Sequence, residues 1–406
     1  MATLTLFPRG IAHADGEATL GWTLQADGQP PFVLTYAVPA HEAGLLTDPG
    51  RGDHALVVAL LHAMQHGWDI RVEGDVSPRL LDGLEALQTI WWRWRPDRFV
   101  RVTITPAREV EAPLPGPGAG GLFAFSGGVD SSYTFFKHLQ EAAGRATCRP
   151  AAALLVHGMD IPLDQPEVFE GALARGRRML EDTGVPLLPV RTNARKLGMG
   201  WEQSFGLQLI GCYLCFQGSF SAGLHGSGEP YETLVLPWGS SPLTDPLCST
   251  ESMRVSIDGC EANRSEKVDW LMRNTNAARD LRVCWQGPTL DRNCGRCEKC
   301  VRTMLNFWCL GHAVPSAFPA HLTPDLVATL QPRNRIQLAE LESILRLAAD
   351  RQPPSDPILM ALKQVVTRGA HRPPNDLRNR LEKATKAAVG PDIVRRLRAI
   401  KARLKD

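Results

Sequence analysis

The apolar positions change period several times along the chain. Phe32 to Val38 alternates and predicts a strand, Asp53 to Gln65 has helical spacing, and Asp69 to Val72 is strand-like again. Val76 to Trp94 repeats with a helical period, and Phe99 to Thr105 alternates as a strand does. Glu111-Ala-Pro-Leu-Pro-Gly-Pro-Gly-Ala-Gly breaks every period and reads as a linker. Residues 1–110 are therefore expected to form a separate α/β module, with no role assigned to it.

After the linker the pattern alternates strand and helix. Leu122 to Phe125 is a short apolar run that breaks into Ser126-Gly127-Gly128, and Val129 to Gln140 is helical, with Tyr133 and Phe136 on one face. Ala151 to Val156 ends in His157-Gly158, Glu167 to Thr183 reads as helix, and Val185 to Val190 as strand. Gln203 to Phe216 is an apolar helix, and Thr233 to Leu236 is expected as a further strand before Pro237-Trp238-Gly239-Ser240-Ser241. Such alternation predicts the α/β class, a doubly wound parallel sheet with helices on both faces, over 121–315. Ligands of these sheets sit beyond the carboxyl ends of the strands. That rule gathers Ser126 to Ser132, His157 to Asp160 and Gly239 to Asp245 at one edge. From about 316 to 406 the chain reads as helices with Pro-rich breaks at Gln352-Pro-Pro and His371-Arg-Pro-Pro.

A strand that turns through two glycines into a helix makes an anion cradle. The first-turn N–H groups point outward, the helix dipole adds partial positive charge, and glycine lets a phosphate approach the backbone. Ser126, Ser131 and Ser132 add hydroxyl donors, and Asp130 suits a bound cation better than a phosphate. No Gly-x-x-x-x-Gly-Lys-Ser/Thr is present, and Gly116-Pro-Gly-Ala-Gly-Gly121 precedes its strand, which suits a linker rather than a dinucleotide fingerprint.

Ser126-Gly-Gly-Val-Asp-Ser131 resembles the motif of the PP-loop ATP pyrophosphatases. The resemblance implies that ATP is held by its β- and γ-phosphates while a substrate oxygen attacks the α-phosphate. Pyrophosphate then leaves, and a nitrogen or sulfur nucleophile displaces AMP. It implies roles for Ser126, Gly127, Gly128, Val129, Ser131 and Ser132 at the departing pyrophosphate, and for Asp130 at Mg²⁺, with Ser126, Asp130 and Ser131 nearest the chemistry. His157, Gly158 and Met159 would line the adenine or ribose, and Gly239, Ser240 and Asp245 would close the pocket.

A second constellation is Cys284-x9-Cys294-x2-Cys297-x2-Cys300. Cys-x2-Cys lets two thiolates of one turn reach the same ion, and Gly295 permits the tight turn. Zn²⁺ in a closed, structural site is the reading favoured; an iron–sulfur cluster is the alternative. The cluster following the glycine turn sharpens the likeness to 7-cyano-7-deazaguanine synthases, whose zinc site has similar spacing and a following arginine, here Arg302. The likeness covers about 121 to 310. Compact members lack counterparts of residues 1–110 and of the chain after 316, and their Tyr-Pro-Asp-Cys-Arg segment reads Thr244-Asp-Pro-Leu-Cys-Ser-Thr-Glu here.

Composition adds location and charge. Hydrophobic content of 44% and charged content of 22% suit a globular protein of two or three domains. No secretory signal or membrane span is legible, so the expected location is cytoplasmic and the ten cysteines read as ligands, catalytic thiols or buried residues rather than disulfides. From Ala361 onward there are 13 Lys/Arg against 4 Asp/Glu, a net +9, so the rest carries −7 of the overall +2. Such a tail suits RNA, an acidic partner, anionic lipid or a solvated helical face.

Lesser candidates are Arg264 and Lys267, which share a helix face after Asp258-Gly-Cys-Glu and could grip a substrate phosphate or carboxylate. Cys212 and Cys215 lie in an apolar helix, where burial is the commoner role and sulfur transfer the catalytic one. His62 and His66 lack the glutamate of a zincin, and Trp91-Trp92-Arg93-Trp94-Arg95 fits either an inward-packing helix end or a nucleic-acid platform. The expected activity is an ATP-dependent ligase or amidotransferase acting on a small molecule, a modified base, a protein or a peptide, as a homodimer with no membrane partner. An RNA thiolase and a non-catalytic ATP-binding scaffold are the alternatives.

Overall fold

A computed structural model describes residues 2–370 apart from 285 and 288, so most of the basic tail lies outside the described residues. Ten strands are β1 (Thr3–Ala14), β2 (Glu17–Ala26), β3 (Phe32–Pro39), β4 (Asp69–Val76), β5 (Ile104–Glu109), β6 (Gly121–Ala124), β7 (Pro150–His157), β8 (Leu187–Thr192), β9 (Ala222–Gly226) and β10 (Arg254–Asp258). The helices are α1 (Asp53–His66), α2 (Pro78–Trp94), α3 (Val129–Leu139), α4 (Pro166–Leu180), α5 (Trp201–Leu214), α6 (Arg264–Asn274), α7 (Glu298–Cys309), α8 (Pro324–Ala328), α9 (Arg335–Ala349) and α10 (Pro357–Arg368).

All ten strands form one sheet, in the order β10-β9-β6-β7-β8-β3-β2-β1-β4-β5. The half from β10 to β8 is parallel throughout. β8 then joins β3 antiparallel through Tyr36↔Thr192 and Ala37↔Arg191, so the sheet runs unbroken from residues 1–110 into the second region. Strand order reverses at β6, which lies between β7 and β9. A crevice opens beyond the carboxyl end of a strand at such a reversal, and there the Ser126-Gly127-Gly128 turn stands.

Helices cover both faces, as strands buried on both sides require. One core joins α1, α2 and α5 to the sheet, with Trp22, Tyr36, Trp91 and Tyr213 fully buried. The other joins α3, α4, α6 and α7 to helices α8 to α10. α1 is apolar on nearly every side because it is sandwiched; a Cβ at Gly211 of α5 would lie 2.6 Å from Val58 Cγ2.

Several sequence expectations change. β1, β2, β9 and β10 were not anticipated, and Phe99 to Thr105 gives its strand role to Ile104–Glu109, while Phe99 packs edge-on to Trp91 at 5.5 Å. Thr233 to Leu236 is not a strand. Both edges of β6 are already paired, Tyr231–Thr233 makes a 3₁₀ turn after Pro230, and the Val235 N–H donates to the Glu229 carboxylate at 2.9 Å.

Candidate functional site

The turn after β6 is built from hydroxyls and a left-handed glycine. Gly127 has φ +74°, a conformation that disfavours side chains, and Gly128 caps α3 without a side-chain bond. The Gly128 N–H donates to Ser126 Oγ at 3.4 Å, Ser126 Oγ lies 3.1 Å from Ser131 Oγ, and Ser131 Oγ donates to the Gly128 carbonyl at 3.3 Å. Arg282 holds the turn from behind. Its N–H donates to the Gly127 carbonyl at 2.7 Å and its Nε to the Ser126 carbonyl at 3.1 Å. The carbonyls are thereby occupied, while the first-turn N–H groups of α3 have no acceptor inside the helix. The end of β9 passes close to this turn, since a Cβ at Gly226 would lie 2.4 Å from the Asp130 carbonyl oxygen.

Cations converge on the same place. Asp130 Oδ2 accepts from Arg264 at 2.8 Å, and Lys267 Nζ lies 3.4 Å from Oδ1 while donating to the Ser227 carbonyl at 2.7 Å. Both cations sit in the first turn of α6, whose start is fixed by a reciprocal cap between Asn263 and Glu266. Burial raises the Asp130 pKa, but Arg264, Lys267 and Lys299 together outweigh it and hold the carboxyl below its usual range. Arg302 does not face the cavity. It is buried on α7 against Glu298 at 2.6 Å and against Glu340 of α9, whose Oε2 also lies 3.7 Å from Arg264 Nε.

These groups line a cavity of about 380 Å³ with two chemically distinct ends. Ser126, Gly128, Asp130, Ser131, Arg264, Arg282 and Lys299 form the polar end. Trp201, Phe205, Leu209, Leu234, Val235 and Trp238 form an aromatic and aliphatic end. The size and the mix of a few polar groups with apolar walls are those of a small-molecule site.

Of the residues expected from sequence, Ser126, Gly128, Val129, Asp130, Ser131, Met159, Ser240 and Arg264 line the cavity. Others stand behind it. Ser132 is fully buried, and His157 is stacked on Phe169 at 4.5 Å with Nε2 bonded to the Pro162 carbonyl at 2.9 Å. Gly158 has φ +103° and packs so tightly that a Cβ would lie 1.9 Å from the Thr192 carbonyl oxygen. Asp245 is fully buried; it accepts from His225 Nε2 at 2.8 Å and from the Ser241 N–H at 3.0 Å, and it also accepts from the Ser240 hydroxyl. The Gly239 carbonyl packs against Gly206 of α5. Sequence reasoning misses Arg282, His225 and the aromatic end, and it reads Lys299 only as a cation that offsets the four thiolates, not as part of the cavity wall. Lys299, standing between two cysteine ligands, was the one with a legible signal.

The four cysteines do converge. Their sulfurs lie within 4.8 Å of one another, with Cys284 and Cys297 at 3.7 Å and Cys294 and Cys300 at 4.0 Å. An ion held tetrahedrally at about 2.3 Å spaces its sulfurs about 3.8 Å apart, so one ion such as zinc fits. Asn293, nearly inaccessible to solvent, fastens the loop. Its Oδ1 accepts from the Val283 and Cys284 N–H groups at 2.8 and 3.3 Å, and its Nδ2 donates to the Leu281 and Ala317 carbonyls at 2.7 and 3.0 Å. The Arg296 and Cys297 N–H groups point at Cys294 Sγ, at 3.5 and 3.3 Å, which suits a thiolate.

The lesser candidates take structural places. Cys212 and Cys215 are fully buried in the first core, where burial pushes the Cys212 thiol up to about 12, so neither is exposed as sulfur transfer requires. His66 stacks on Trp68 at 4.3 Å with His62 beside it, and Trp91 is buried at the end of α2. Compared with family models, with curated proteins and with solved structures, the chain matches none.

Proposed function

We propose that the chain is an ATP-dependent ligase that forms C–N bonds by adenylating a substrate oxygen. The observation that carries this reading is a single cavity with a glycine–serine turn and buried cations at one end and an aromatic slot at the other. That division matches the triphosphate and the base of ATP. The N–H groups of α3 and the Ser126 and Ser131 hydroxyls suit the β- and γ-phosphates, and Arg264 suits the charge that gathers on leaving pyrophosphate. Trp201, Phe205 and Trp238 suit a purine ring.

The substrate oxygen attacks the α-phosphorus as the bond to the β-phosphate oxygen breaks, and pyrophosphate leaves into the cationic end. Ammonia or an amine then attacks the activated carbon, the carbon–oxygen bond to AMP breaks, and the nitrogen loses its proton to solvent. Positioning and electrostatics supply the rate. Mg²⁺ would accompany the nucleotide, with Asp160, which lines the cavity, and Asp130 as its carboxylate ligands. Zn²⁺ at the four cysteines would have a structural role, since all four positions are filled by protein.

The test is product analysis with ATP labelled in the α-phosphate, using carboxylate and amide substrates with ammonia. Release of AMP and pyrophosphate supports the reading. Release of ADP, or an absence of both nucleotide binding and turnover across the panel, overturns it.

A further inference from the structure

The metal loop and the phosphate turn are one piece of structure. Arg282, two residues before Cys284, bonds the Ser126 and Gly127 carbonyls through Nε and N–H. Its guanidinium also donates to the Leu290 carbonyl at 2.7 Å, inside the loop between Cys284 and Cys294. Val283 and Cys284 themselves line the cavity. On the far side of the metal loop, Lys299 lies between Cys297 and Cys300 in the first turn of α7, and it too lines the cavity.

Lys299 differs from its cationic neighbours. Arg264 and Lys267 are paired with Asp130, whereas Lys299 has no carboxylate within salt-bridge distance among the described residues. Its ammonium shares the cavity wall with Arg264, and the carboxylates of Asp130 and Asp160 act on it only from beyond salt-bridge distance, so a half-buried cation is left with room for an arriving anion. A triphosphate is such an anion, and a lysine serves it as a point charge. Lys299 stands on the turn that carries Cys297 and Cys300, which the Val301 N–H closes by donating to the Cys297 carbonyl at 2.9 Å, so a ligand shared by the two sulfurs would fasten that turn and Lys299 with it.

We propose that Lys299 binds the phosphates of the nucleotide, and that a metal ion at the four cysteines holds Lys299 and Arg282 in place, so that metal occupancy sets nucleotide affinity. This rests on the reading of the cavity as a nucleotide site. The coupling is reciprocal, so bound nucleotide must also retain the metal.

The experiment uses the full, zinc-loaded chain and calorimetric titration with ATP, with excess Mg²⁺ present. Lys299→Met is expected to bind ATP about tenfold more weakly, the scale of one charge-assisted hydrogen bond, and Lys299→Arg to recover part of the loss. Saturating ATP is expected to slow zinc loss to a chromophoric chelator severalfold in the wild type and much less in Lys299→Met, a reading that needs no apo protein to stay folded. Equal ATP affinity of wild type and Lys299→Met overturns the phosphate role, and zinc release indifferent to ATP in the wild type overturns the coupling. Wild-type protein that binds no ATP at all overturns instead the nucleotide reading on which both depend.

Discussion

Asp130 and Arg264 meet at 2.8 Å, joining the first turn of α3 to the first turn of α6 across the polar end of the cavity. Removing one side of a largely buried ion pair leaves the other charge uncompensated, which costs about 3–5 kcal/mol in fully buried cases. Asp130 retains some exposure, so Asp130→Asn is expected to lose about 2–4 kcal/mol in urea unfolding. Adding Arg264→Met is expected to return part of that loss, because the stranded guanidinium goes with it. Unchanged stability of the single variant would show that the pair is solvated and the cations are not being held ready by Asp130.

A second ion cluster beneath α3 sets the acid limit of this half. Lys137 Nζ lies 2.9 Å from Asp258 and 2.6 Å from Glu261, and His138 Nε2 lies 3.4 Å from Asp258. Burial raises the Asp258 pKa, yet the neighbouring His138 and the Lys137 ammonium that donates to it outweigh that and bring the carboxyl down to about 2. The folded value is below the unfolded one of about 3.9, so the stabilising effect is complete above that pH and is lost as pH falls toward 2. Asp258→Asn is expected to be less stable by about 2 kcal/mol at neutral pH and to show a shallower loss between pH 4 and 2. Parallel curves for the two proteins in that window would refute the assignment.

The aromatic end tests the base-binding half by itself. Trp238 packs edge-on to Phe205 at 5.9 Å, and Trp201 stands 5.8 Å from the same ring. Trp238→Ala is expected to weaken ATP binding by about 1–2 kcal/mol while leaving pyrophosphate binding nearly unchanged. Equal losses for both ligands would mean that the wall acts through the fold and not on the base.

What was legible in the sequence follows from how local each signal was. The strand, glycine turn and helix from Leu122 to Gln140 lie within one continuous stretch, and so do the cysteine spacings; both are found where expected. β9, Ala-Gly-Leu-His-Gly, is short, carries two glycines and has little strand propensity; its place is fixed by partners β6 and β10, which are distant in sequence. Thr233 to Leu236 has better strand residues, yet both sides of β6 are taken by β7 and β9, and the Tyr231–Thr233 turn after Pro230 carries the segment away from the sheet. His225 and Asp245 illustrate the same limit within the site. The resemblance puts Asp245 at the pocket wall, but its carboxylate turns inward to His225 on β9, a strand with little local signal.

Asn293 offers a test of the metal centre that leaves every cysteine intact. The side chain makes four hydrogen bonds, accepting two next to Cys284 and donating two to carbonyls on either side of the metal loop. Asn293→Ala removes all four and strands buried backbone groups, so zinc affinity is expected to fall about 10–100-fold, the scale seen when partners behind the ligands are removed. Asn293→Asp keeps an oxygen acceptor but loses both donations. It also sets a negative charge beside four thiolates, so it is expected to bind zinc no better than the alanine variant despite its closer shape. Competition with a chromophoric chelator, read alongside the metal content of each purified protein, gives the order. An aspartate variant that holds zinc as the wild type does would show that Asn293 fastens the loop through its acceptor alone, and that the carbonyls of Leu281 and Ala317 can be satisfied without it.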